Sequence, residues 1–169
     1  MIFAHAFRKD FPLTTVFLRS RLPSTPHWAS IWPAFKKWGQ LSEQEALDAI
    51  TEGNPPTINC GEFPNGSYGD YWGDSDPSQK NYIYLNSQYL RYFEFSYANR
   101  SDLLFQRFLH AVTLHEMVHW GDNRDGVDQA PEEGNEFEKE VWGARVGDWD
   151  YWRTNAEATL HSRYPRATL

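Results

Sequence analysis

Leu114-His115-Glu116-Met117-Val118-His119-Trp120-Gly121-Asp122 is the stretch on which the fold turns. It closes a run in which Leu104, Phe105, Phe108, Ala111, Val112, His115 and His119 recur at three- and four-residue steps. That is the period of one side of an α-helix. Leu103, Leu114, Met117 and Val118 add apolar surface elsewhere, so this helix is expected to be central and buried on most sides. Ser101 or Asp102 is the expected cap, the helix runs to about Trp120, and Gly121 is the expected stop.

Four residues apart on a helix, His115 and His119 present their imidazoles on one face, one turn apart, where a single ion can take a nitrogen from each. The adjacent Glu116 flanks that ion without lying between the histidines. A zinc ion there would acidify a bound water and polarise a carbonyl, and Glu116 would serve as general base. Two core histidines bonded to backbone carbonyls are the bland alternative. They would be an expensive accident in a buried helix.

A catalytic zinc site needs a third protein ligand and one open position. A last helix, with Pro131 in its first turn and an end near Val146, offers Glu132, Glu133, Glu136, Glu138 and Glu140. Phe137, Val141 and Trp142 mark its buried stripe. Glu138 falls between them, whereas Glu136 lies about 200° away by the helical period and faces water. Glu138 is therefore the expected third ligand. Glu133 follows, as ligand or as acceptor for a histidine N–H. Asp125, six residues beyond His119, is a rival from the loop, although Asp122 stands where a turn-forming glycine would be needed.

The longer string resembles a known family. Leu114 to Asp122, then Glu133-Gly134-x-x-Phe137-Glu138, then Val141-Trp142-Gly143, looks like the metallopeptidase toxin domains of bacterial polymorphic toxins and type VI secretion effectors, on the gluzincin branch of the zincins. The match is good over 114–143 and loose elsewhere. The resemblance implies an α+β zincin-like fold with a central active-site helix, a small sheet with an edge strand and a second ligand-bearing helix. It implies zinc held by His115, His119 and a downstream glutamate, a protein or peptide substrate, delivery into a target cell, and a cognate immunity protein. A thermolysin-style alignment would put Glu136 on the ligand. By the same resemblance Tyr82 to Leu85 is the candidate for the strand that pairs with substrate.

The rest of the chain fits one domain of 169 residues. It divides into an aromatic-rich part with the sheet (1–100), two zinc-binding helices (101–146) and a tail (147–169). A net charge of −7 and the lack of a basic stripe argue against nucleic acid or an anionic membrane as partner. The single Cys60 permits no internal disulfide. No run approaches a membrane span. Met1 to Leu13 lacks the apolar core of a signal peptide, so export is expected to need a dedicated machine or a larger parent chain. Residues 1–40 show no clear period, and Thr25-Pro26 and Trp32-Pro33 preclude a long helix there. Ser42-Glu43-Gln44-Glu45 reads as a capping box for a helix to about Ile50. Thr57 to Cys60 and Tyr82 to Leu85 read as strands, and Asn86 or Ser87 caps a helix to about Phe95. Tyr151, His161 and Tyr164 are available as oxyanion donors, with no spacing rule to select one. A zinc hydrolase of cell-wall peptides, and a zinc that only staples two helices, remain open beside the endopeptidase reading.

Overall fold

The structure, a computed structural model, describes residues 1–63, 65–125 and 131–148, without the side chains of 125 and 148. The chain runs β1 (Ile2–Phe3), α1 (His5–Asp10), α2 (Pro12–Arg21), α3 (Ile31–Trp38), α4 (Glu43–Ile50), β2 (Thr57–Gly61), β3 (Gly69–Asp70), β4 (Tyr82–Asn86), α5 (Ser87–Phe95), α6 (Tyr97–Ser101), α7 (Leu103–Asp122) and α8 (Glu133–Trp142). It is α+β. No helix of the described residues is long and apolar enough to cross a membrane.

The periodless N-terminal stretch holds three short helices. Pro12 opens α2 at a position whose N–H has no helical partner anyway. Pro33 is tolerated within the first turn of α3 for the same reason. The capping box forms: the Ser42 hydroxyl accepts from Glu45 N, and the Glu45 carboxylate accepts from Ser42 N. Asp102 caps α7 through the amides of Leu104 and Phe105.

Gly121 does not end α7, which runs on to Asp122. It is a packing glycine instead. A Cβ at 121 would sit 2.5 Å from the carbonyl oxygen of Gly39, so only glycine lets α7 meet the end of α3 this closely. The stop expected there belongs to α8, where Gly143 takes a left-handed conformation (φ 79°) after Trp142. That helix is also shorter at both ends than its periodicity suggests, with Glu132 as its cap.

The sheet order is β1-β2-β4-β3. β1, β2 and β4 are mutually parallel, and β3 is antiparallel at one edge. Tyr82 to Leu85 is therefore an inner strand, paired with β2 along its length and with β3 at Tyr84 and Leu85. The edge strand next to α7 is Gly69–Asp70, too short and too poor in β-formers to be read from sequence. Ile58, Ile83 and Leu85 face inward onto a core shared with Phe105, Phe108, Leu109 and Val112 of α7. The opposite sheet face carries Ile2, Tyr82 and Tyr84 towards solvent.

Candidate metal centre and active site

α7 and α8 pack side by side, and the close approach depends on Gly134. A Cβ there would lie 2.4 Å from His115 Nε2. With none, the first turn of α8 reaches both histidines. His119 Nε2 is 3.1 Å from His115 Nε2, and Glu132 Oε1 is 2.8 Å from the first and 3.3 Å from the second. Donors held tetrahedrally at zinc–ligand bond lengths stand roughly 3.3 Å apart, so the triangle is within a few tenths of an ångström of a metal-binding face. His115, His119 and Glu132 form the ligand-type cluster among the described residues.

The far side of each ring fixes which nitrogen faces that point. Glu138 Oε1 is 2.9 Å from His115 Nδ1, and Glu133 Oε2 is 3.3 Å from His119 Nδ1. An ionised carboxylate only accepts, so each Nδ1 that faces one holds a proton, and an ion on the near side would take the Nε2 lone pair. Three ligand-type atoms thus converge on one point, where a proton shared with Glu132 or a metal cation offsets their mutual repulsion. This fits a metal ion on an N,N,O set backed by carboxylate–histidine pairs.

Glu138 has a second attachment. Its Oε2 accepts from Val146 N at 2.6 Å. The chain turns at Gly143 and is pinned by that bond, which sets Arg145 and Gly147 in the cleft wall. At 4% exposure Glu138 is buried, whereas Glu136 pairs with Lys139 at the surface and Glu140 with Lys37 and Trp38. The sequence reading singled out Glu138 by its face, and the structure sets it behind His115 rather than among the converging atoms. Glu132 is among the acids of the last helix in the sequence, but the Phe137, Val141 and Trp142 stripe does not select it. Its usable signal was its position just ahead of Glu133-Gly134, where the glycine brings the helix start onto His115. Asp125's side chain, Tyr151, His161 and Tyr164 lie outside the described residues, as does the tail beyond residue 148.

Glu116 is 5% exposed and faces the same cleft, of about 390 Å³, with Ser67, Tyr68, Gly69 and Asn135. β3 lies directly on it: a Cβ at 69 would be 2.6 Å from Glu116 Oε1. Burial raises the Glu116 carboxyl to about 7, and the neighbouring His115 and His119 offset part of that rise. For His115 burial acts downward but is outweighed by the bonds to Glu132 and Glu138, so the ring is held well above its usual value. His119 is raised likewise, burial being overcome chiefly by Glu132. Glu132 is driven far below the carboxylate range: its burial acts upward, but its bonds to both histidines prevail.

A buried carboxylate beside a three-donor cation seat, under an edge strand, is the equipment of a metal-dependent hydrolase. Neither a curated protein nor a solved structure matches the chain. The model of the metallopeptidase toxin 3 family matches residues 7–143, which spans both α7 and α8. The chain belongs to the metallopeptidase toxin 3 family, and so is a metal-dependent peptidase toxin domain that acts on protein.

Proposed function

We propose that this domain is a zinc endopeptidase in which His115, His119 and Glu132 hold the ion, Glu116 is the general base, and Glu138 and Glu133 orient the two histidines. The observation that carries the reading is the convergence of two Nε2 atoms and one carboxylate oxygen, with both Nδ1 atoms engaged by carboxylates behind them. Two imidazoles and a carboxylate are a donor set that suits zinc. Zinc bound there supplies Lewis acidity, acidifying water and polarising the scissile carbonyl.

The chain's own residues do the rest. Glu116, fixed between the α7 backbone and Gly69, takes a proton from the attacking water and delivers it to the departing amine. Glu138 and Glu133 keep the rings from rotating. Among the described residues Gly69–Asp70 is the outermost strand, and its outer edge would offer main-chain groups to an extended peptide, which gives binding without strong sequence demands. As a toxin domain it acts in a cell it is delivered into, by machinery of the type VI kind, while the producer is protected by an immunity protein.

The test pairs activity with metal content. Glu116→Gln is expected to lower casein cleavage roughly 10²–10⁴-fold while zinc stoichiometry and melting temperature hold. Unchanged cleavage would remove Glu116 from the chemistry. Release of cell-wall peptides without casein cleavage would change the substrate.

A further inference from the structure

The outward face of the sheet carries a row of rings that the chemistry above does not use. Tyr82 and Tyr84 stack at 6.5 Å, Trp72 stacks on Tyr84 at 4.5 Å, and Phe63 meets Trp72 edge-on at 6.1 Å. Trp72 is 39% exposed, Tyr82 36%, and Ile2 on the same sheet face 40%. A contiguous apolar strip of this kind marks a contact surface.

Charge narrows the partner. Between Phe63 and Leu90 the chain holds Asp70, Asp74 and Asp76 against the single cation Lys80. Asp70 is the cross-strand partner of Tyr84, at the seam between cleft and strip, and Asp76 is near enough to bear on the Tyr84 phenol. Ring faces are themselves electronegative. Elsewhere the protein seats cations on rings: Arg21 lies 4.0 Å over Trp28 and Lys37 lies 4.5 Å over Trp38.

Position narrows it further. β3 is shared by cleft and strip: Gly69 is turned to Glu116, and Asp70, in register with Tyr84, also bears on the Glu116 charge. A chain lying along the β3 edge leaves the cleft onto the ring strip. We infer that the strip of Phe63, Trp72, Tyr82 and Tyr84, with Asp70 and Asp76, is an exosite for Lys/Arg-rich segments of the protein substrate, so that the enzyme prefers basic proteins. This rests on the peptidase reading.

The test uses the full chain in two arms. In the first, a short peptide is cleaved alone, with an oligolysine extension, or with an oligoglutamate extension. The oligolysine form is expected to have a KM about five- to tenfold lower than the short peptide, and Trp72→Ala with Tyr82→Leu to abolish that gain while leaving the short peptide unaffected. Tyr82→Phe, which keeps the ring, should retain it. In the second arm, calorimetry on the Glu116→Gln protein measures oligolysine, oligoglutamate and a chitin oligosaccharide directly. Oligolysine binding that weakens with salt and is lost in the double variant supports the exosite even if nothing is cleaved. Cleavage with no advantage for the basic extension, equal loss on short and long peptides, or preferential binding of the saccharide overturns it and leaves the peptidase reading standing.

Discussion

His110 and His115 stand on the same helix, less than two turns apart, and share neither surroundings nor protonation. His110 is 1% exposed and its Nε2 is 3.1 Å from Thr25 Oγ1. That hydroxyl gives its proton to Leu22 O, so the ring must be the donor. Trp28 packs edge-on, and burial first, then the charge of Arg21, press the ring down to about 3. His115 faces Glu132, Glu138 and Glu116 and is pushed the other way. One histidine is a neutral core spacer and the other a ligand in waiting. The difference lies in what the neighbouring elements bring: a 3-10 turn with a hydroxyl and a cation in one case, an acidic helix start in the other.

The sharpest way to break this contrast is to remove an acid from α8. Glu132→Ala should lower zinc affinity by more than the roughly ten- to hundredfold typical of an outer-shell partner, as read by competition with a chelator. If Glu138→Ala costs more zinc than Glu132→Ala, the ligand is Glu138 and the assignment of inner and outer carboxylates is reversed.

Gly134→Ala tests the contact that brings the start of α8 onto the proposed ligand His115. The added methyl collides with the ring, so zinc binding should fall severely. Alanine favours a helix by about 0.5–1 kcal/mol over glycine, less than the roughly 1–3 kcal/mol an overpacked contact costs, so the metal-free protein should melt slightly lower than the parent while zinc binding falls far more. Normal zinc content would show that α8 can shift without consequence.

Glu138→Ala should weaken zinc roughly ten- to hundredfold and also free the Val146 amide, seen as faster hydrogen exchange at that residue alone. Zinc loss with a protected Val146 would separate the two attachments.

The smallest effect is expected at His110. Its folded value lies below its unfolded value of about 6.5, so the unfolded chain binds the extra proton. The stability this ring permits is complete above about pH 6.5 and drains as pH falls towards 3, by at most about 1.4 kcal/mol per pH unit. His110→Leu should flatten the acid limb of a melting-temperature profile and leave zinc content alone. An unchanged limb would mean that other groups govern acid unfolding.

Much of this was legible locally. The α7 periodicity, its Asp102 cap, the paired histidines and the Ser42 box are decided within a few residues by helix geometry and hydrogen-bond supply, and short-range rules read them. The helical stripe likewise picked Glu138 as buried, because burial on a helix follows its period. What burial could not say is which carboxylate meets which nitrogen. Glu132 sits before the helix, and its place depends on how near Gly134 lets α8 come. The edge strand Gly69–Asp70 has no propensity of its own and exists because β4 offers it partners.

The sequence alone determined that a buried helix carries two histidines and a glutamate at metal-binding spacing, since helix pitch converts spacing into direction without help from elsewhere. Only the tertiary structure decided which ring nitrogen Glu132, Glu133 and Glu138 each approach, and which strand lies beside Glu116. Those depend on distances between elements remote in the chain, set by Gly134 and Gly69, whose missing side chains let the backbone approach the His115 ring and the Glu116 carboxylate.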